Sequence, residues 1–297
     1  MSNAFLFFVT VLIWGTSWIG IALQIGPVPV SVSIFYRILL AALLLLLWLG
    51  LTRRLALPRQ WRFVALQGIC LFSLNFMAFY NAAALIPSGL LSVIFSLASI
   101  FNAINARIFF GERISIRVFI AGLIGVCGVG LLFWDSLAVT FDPDSLKGIG
   151  WMTLGTLFFS WGNMASRKNT AIGTPPIIAN AWGMTIGACI LWTLIMIRQQ
   201  PFILPTDFTY LAALLYLAIF ASVIGFTTYL LLVARIGSAQ AGYATVIFPA
   251  VALVISTFFE GYQWTGTAIA GVFLVLMGNI VMFAKPKLTG MRALARH

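Results

Sequence analysis

Apolar residues in this chain do not alternate with polar ones; they run together. Ten runs, each nearly free of charge, are separated by short polar breaks. An apolar stretch of about 20 residues is what a helix needs to cross bilayer hydrocarbon. The predicted spans are Ala4–Leu23, Val30–Leu51, Phe63–Ile86, Gly89–Phe110, Val118–Phe133, Gly148–Ala165, Ile177–Ile197, Tyr210–Val233, Ala239–Phe259 and Thr267–Ala284. The fifth is the shortest and the sixth the most polar. The longest breaks, Trp134–Lys147 and Arg198–Thr209, are too short to hold a soluble domain. The expected fold class is therefore an all-α polytopic membrane protein with ten transmembrane helices.

Composition narrows the function classes. Of 297 residues, 62% are hydrophobic and 8% charged, against about half and a quarter in soluble domains. So few charges cannot cover a globule of 32.5 kDa, which excludes a soluble enzyme, a disordered chain and a secreted disulfide scaffold. The net charge of +11 would suit nucleic acid, but the basic residues are scattered between apolar runs and make no continuous face, so no nucleic-acid partner is expected. Cys70, Cys127 and Cys189 are odd in number and lie inside apolar runs, so no disulfide framework is expected. The first run lacks a basic leader and reads as a resident span.

Charge then sets direction. Alternate sides of the ten spans divide the basic residues unequally: fourteen fall on one side, from Arg53 and Arg54 through Arg235 to the tail Lys285–His297. The other side has Lys147 and Arg198, with five of the six acids, Asp135, Asp142, Asp144, Asp207 and Glu260. The positive-inside rule puts both termini in the cytoplasm. The basic tail, 285–297, reads as an anchor to anionic lipid.

The chain also resembles itself at an offset near 150. Trp14-Gly15 corresponds to Trp161-Gly162, Ala84–Ser88 to Ala234–Ser238, Ile120-Ala121-Gly122 to Ile269-Ala270-Gly271, and Glu112 to Glu260. Five spans per half is an odd number, so the second half is inserted upside down. The expected organisation is a first five-helix repeat at 1–134, a periplasmic connection at 135–146, a second, inverted repeat at 147–284 and the tail. Inverted repeats that meet at a central site are a mark of transporters.

The early Trp-Gly, the Phe35-Tyr36-Arg37 of the second span, Gly111-Glu112-Arg113 after the fourth and Val246-Ile247-Phe248-Pro249 in the ninth resemble the EamA-type branch of the drug/metabolite transporter superfamily. The resemblance runs nearly the whole length. It implies two inverted five-helix halves around a cavity lined by helices one, three, four, six, eight and nine. It further implies export of amino acids and other metabolites across the bacterial inner membrane.

Polar side chains inside hydrocarbon mark the candidate site. Ser88, Ser92, Ser96, Ser99 and Asn102 share one face of the fourth span, and Thr153, Thr156, Ser160, Asn163 and Arg167 one face of the sixth. Each stripe reads either as pathway lining or as glue between helices. Trp14 and Trp161 lie too deep to be interfacial anchors and are expected in the cavity, each indole needing a partner for its N–H. Tyr80, Tyr229 and Tyr243 join them as candidate lining. Asn75, mid-span, reads equally as an interhelical bond or a substrate contact. Arg37 lies about 10 Å into the second span; it could receive a substrate carboxylate, but a structural charge role is taken here, with Glu260 as candidate partner. Pro249 lacks the N–H that would bond the Thr245 carbonyl and is read as a hinge, while the fourth span, with Ser99 in the equivalent place, is expected to keep an unbroken ladder.

No Asp or Glu lies centrally in any span, which argues against the alternative of a proton-coupled cationic-drug antiporter. A membrane-embedded enzyme or lipid-handling protein, the alternative of another class, would need a metal cluster or a nucleophile with its base, and the one histidine, His297, is at the tail. No catalytic residue, metal or other cofactor is expected. The expected partners are a small-molecule substrate and the lipid bilayer, with the monomer as the working unit.

Overall fold

Each apolar run forms a helix. The computed structural model describes residues 2–26, 28–114, 116–134, 142–241 and 244–283. Tyr243 and the tail from 285 lie outside these residues. The ten helices are α1 (Asn3–Ala22), α2 (Val30–Leu51), α3 (Trp61–Ala83), α4 (Ser88–Phe110), α5 (Ile116–Leu132), α6 (Pro143–Ala171), α7 (Pro176–Ile197), α8, α9 (Ala244–Phe259) and α10 (Gly266–Phe283). Helix α8 opens with Phe208–Tyr216, passes through a π-helical stretch at Leu217–Gly225 and closes with Phe226–Ala241. Six of the ten are long and apolar enough to cross a membrane unaided, and α5, α9 and α10 hold shorter apolar stretches. Helix α6 has length to spare at 29 residues but is polar, and it buries its polar face among neighbours.

Several boundaries differ from the sequence expectation. Helix α6 begins at Pro143, inside the predicted connection, because the Asp142 carboxylate accepts from the Asp144 and Ser145 amides, both at 3.1 Å, and Pro143 is preset for a first helical turn. Residues 239–241, expected to open the ninth span, instead end α8. Hydropathy alone could not separate two apolar runs meeting at a short polar break.

The two halves pack as inverted copies. Helix α1 lies on α8 and α9, as α6 lies on α3 and α4; α2 pairs with α7, and α5 with α10. End-to-end contacts agree with an antiparallel arrangement. The Arg59 amide donates to Thr174 Oγ1 at 3.2 Å at one end, and Ser88 meets Glu260 at the other. Both halves carry a π-helical stretch at equivalent places, Cys70–Leu74 in α3 and Leu217–Gly225 in α8. Such bulges widen the helix and redirect the side chains around them.

Helix α4 contradicts the expectation of an unbroken ladder. It splits into Ser88–Phe95 and Ala98–Phe110, and the Leu97 amide bonds three residues back to Ile94 O at 3.1 Å. The cause is local. Ser92, Ser96 and Ser99 each turn the hydroxyl onto the carbonyl three residues earlier, at 2.5, 2.6 and 3.2 Å, and such bonds compete with the backbone ladder and bend helices. Helix α9, by contrast, continues through Pro249.

Candidate functional site

At mid-depth, where the halves meet, seven helices close on a cavity of about 370 Å³ empty volume. Its walls are largely aromatic. Helix α1 contributes Trp14 and Trp18, one turn apart on one face; α3 contributes Phe76 and Phe79; α4, α6, α8 and α9 each contribute one ring, Phe95, Phe159, Phe226 and Phe248. The rings interlock edge to face, with Phe95–Phe159 centroids 4.7 Å apart and Trp14–Phe226 centroids 5.1 Å apart. Only about 30 Å³ admits the centre of a water molecule, room for a water or two. The site is narrow in this conformation.

Three polar side chains line this apolar box: Ser17 of α1, which donates to the Trp14 carbonyl at 3.0 Å, Arg37 of α2 and Asn75 of α3. Arg37 is 2% exposed; its Nε donates to Ser222 Oγ at 2.9 Å, its guanidinium lies 4.2 Å from the Phe76 ring centroid, and Nη1 has no hydrogen-bond partner. Asn75 is fully buried, and neither its Nδ2 nor its Oδ1 is bonded. Asn75 follows directly on the π-helical stretch of α3, which sets the direction of its side chain.

The expected Arg37–Glu260 pairing does not form. Glu260 accepts from the Ser88 amide at 3.0 Å and from the Ser88 and Ser256 hydroxyls at 2.6 and 2.5 Å. It joins the end of α9 to the start of α4, far along the bundle from Arg37. The two ion pairs among the described residues are Lys147–Asp144 and Arg167–Glu112.

The other expected site residues divide between several places. Trp14, 6% exposed, lines the cavity and donates its indole N–H to Ala221 O at 3.3 Å. Gly225 makes this possible: a Cβ there would stand 2.5 Å from the indole nitrogen. The first half has Asn75 at the equivalent position, with a side chain where Gly225 has none. Trp161, the repeat partner of Trp14, is not in the cavity. It donates to Asn105 Oδ1 at 3.3 Å and lines a separate cleft of about 910 Å³ between α3, α4 and α6.

Asn102, Asn163 and Tyr229 form a buried cluster beside Trp14. The Asn163 amide donates to Asn102 Oδ1 at 3.3 Å and to the Tyr229 hydroxyl at 3.4 Å, and the Tyr229 ring lies 4.7 Å from that of Trp14. Tyr80 is fully buried behind the cavity, its hydroxyl donating to Gln24 Oε1 and within hydrogen-bond reach of Arg37. Ser96 and Ser99 are buried on the backbone of α4, and neither lines the cavity. Pro249 is buried one residue from Phe248, which does line it.

The cavity residues absent from the sequence reading are Ser17, Ile21 and the rings other than Trp14. Trp18, four residues after Trp14, carried the signal, since that spacing repeats one helical face. The phenylalanines carried none, because 26 occur in the chain and most face lipid or core without distinction.

The profile of the EamA-like transporter family matches residues 1–134 and 146–284. Among similar proteins, the "Uncharacterized inner membrane transporter YedA" of Escherichia coli K12 is 26% identical, over 94% of this chain and 92% of its own. The "Probable amino-acid metabolite efflux pump" of Salmonella typhimurium LT2 is 24% identical, over 93% of each chain, and the Escherichia coli K12 protein of the same name is 23% identical over 65% of this chain and 66% of its own. A solved crystal structure superposes with a TM-score of 0.71 at 19% identity, covering 95% of this chain and 97% of the other; at that identity the likeness is one of fold.

Proposed function

The chain belongs to the EamA-like transporter family, and from that premise we propose that it exports small amphipathic metabolites, amino acids among them, across a bacterial inner membrane by alternating access. The observation that carries this reading is the cavity between the inverted halves, aromatic on its walls and holding unbonded polar atoms of Arg37 and Asn75. Both residues border the cavity, so their unbonded atoms are open to a ligand placed there. A substrate with an apolar body and a polar head would satisfy both kinds of surface.

The narrow cavity suits one stage of an alternating cycle. The rings must part to admit a metabolite, and helices α4 and α9 give two places to bend: the break at Ser96–Leu97 and Pro249, which occupy equivalent levels of the two halves. The hinge assigned to Pro249 thus becomes a pair of hinges. Relatives named as amino-acid metabolite efflux pumps support the substrate class. No carboxylate lines the cavity and a guanidinium does, which disfavours organic cations. The positive-rich end, with Arg59, Arg107, Arg113 and Lys168, is assigned to the cytoplasm with both termini, and the monomer holds a complete cavity.

Counterflow in proteoliposomes, with amino acids and organic cations offered in parallel, tests the reading. Exchange of an amino acid driven by its own gradient is the expected result. Exchange of cations alone would replace it with the drug-antiporter reading, and no exchange of any solute would remove it.

A further inference from the structure

Apart from Asn75, the described buried side-chain amides each keep at least one bond, although one atom each of Gln24, Asn102, Asn163, Asn169 and Asn180 has no partner. Gln67 accepts from Asn169 and donates to Asn180, both at 2.9 Å, and Asn105 bridges Ser160 and Trp161. Among the described buried amides, Asn75 alone has neither atom bonded. Interhelical glue does not look like this: an unbonded buried polar group costs free energy with nothing in return. Arg37 is partly satisfied, by Ser222 at Nε and by the Phe76 ring, but its charged Nη1 has no partner. A guanidinium in hydrocarbon normally finds a carboxylate, yet the described ion pairs do not include it and Nη1 points to no acceptor. Both residues line one cavity.

We propose that Arg37 and Asn75 together form a receptor for the carboxylate of the transported molecule, so that the substrate class is apolar monocarboxylates of aromatic size, and the carboxylate, not an amine, is the group recognised. The proposal rests on the transporter reading above. A carboxylate is planar with two acceptor oxygens, which suits the Arg37 Nη1 and Asn75 Nδ2 donors. Its charge neutralises the guanidinium at the depth where an unpaired charge is most costly. Asn75 Oδ1 then remains to accept one N–H from the substrate, whether amine or acylated amine. Phe95, Phe248 and Trp18, with ring centroids 5.5 and 5.6 Å apart from Phe95 to the other two, hold the apolar body. An ammonium gains no carboxylate here and meets the charge of Arg37. N-acyl amino acids and arylalkyl carboxylates are accordingly ligands, and amino-acid amides are not.

The test uses the full chain in detergent and in proteoliposomes, with phenylalanine, N-acetylphenylalanine and phenylalanine amide as probes. Trp14 and Trp18 report binding through their fluorescence. The two acids are expected to bind, and the amide about tenfold or more weaker, the equivalent of one charge-assisted hydrogen bond. Asn75→Ala should weaken the acids about tenfold without lowering thermal stability, since it has no bond to lose; a structural Asn75 would lower stability instead. Arg37→Gln should bind acid and amide alike, and Arg37→Lys should keep a reduced preference for the acid.

Equal binding of acid and amide by the unmodified protein, no binding of the acids, or an Arg37→Gln protein that keeps the preference would overturn the proposal. The comparison of ligands on the unmodified protein stands even where a variant does not fold. Acids that bind but show no counterflow would remove the transporter reading and leave the carboxylate receptor. Counterflow of the amide but not the acids would do the reverse.

Discussion

Glu260 and Glu112 occupy equivalent positions in the inverted halves, one at the end of α9 and the other just past α4, and they are held differently. Glu260 gathers the first amide of α4 and two hydroxyls, those of Ser88 and Ser256, both buried. Glu112 has one ion pair, to Arg167 at 2.6 Å, with side chains 52% and 25% exposed. A carboxylate bonded to a helix N-terminus and to buried hydroxyls gains from charge-assisted bonds and from the helix dipole. An exposed ion pair contributes little after solvent screening. The cleft of about 910 Å³ lies toward the Glu112 end, among Phe63, Phe110 and Lys168. The equivalent acids are held differently: Glu260, itself exposed, by donors from Ser88 and Ser256, and Glu112 by one ion pair.

The sharpest way to break that comparison is Glu260→Ala. It strands the Ser88 amide and two buried hydroxyls, and should cost about 2–3 kcal/mol. Thermal unfolding in detergent measures the loss. A cysteine at Ser92 in a cysteine-free background should then react with an impermeant maleimide, and an unreactive cysteine would mean that Glu260 latches nothing.

The bends come next. Replacing Ser96 and Ser99 by alanine removes the hydroxyls that compete for carbonyls in α4, so the ladder can close across Leu97. Initial counterflow rates should fall several-fold while stability changes by less than about 1 kcal/mol. Pro249→Ala touches only α9, already a continuous helix, and should slow exchange less than the double serine variant. A larger effect from Pro249 would return the main hinge to the second half.

Glu112→Gln should cost at most about 1 kcal/mol, with the loss shrinking as salt is raised. A loss matching that of Glu260→Ala would erase the difference between the ends.

The smallest effect concerns Asp142 at the start of α6. The Ser145 hydroxyl, and then the Asp144 amide, hold its carboxyl below the usual 3.8. A folded value lowered in this way gives stability that is present above pH 3.8 and lost as pH falls through the folded value. Asp142→Asn should flatten that acid limb in thermal scans, with little change at neutral pH.

Sequence reasoning reached the ten helices, the inverted duplication, Trp14 as a cavity residue and Asn75 as a group with an open role. Trp14 could be found because a deep indole needs a partner whatever surrounds it. Arg37 is legible as a buried charge but its partner is not: the candidate Glu260 is taken up by Ser88 and Ser256, and distance along the bundle cannot be read from sequence. The serine stripe was ambiguous because a hydroxyl can bond its own helix as readily as a substrate, and in α4 it does so. Trp161, expected in the cavity because it lies too deep for an interfacial anchor, instead bonds Asn105 and lines the separate cleft.

What the sequence by itself determined is the membrane-spanning plan. Hydrocarbon tolerates only apolar helices with internal hydrogen bonds, so the number of spans and their approximate places follow from composition. What only the tertiary structure decided is which face of each helix turns inward. That rotation depends on partners far along the chain, such as Ser222 for Arg37, 185 residues away, and Ala221 for Trp14, 207 residues away. In a chain apolar on every side, hydrophobicity does not choose a face; close packing and the bonding of a few buried polar atoms do.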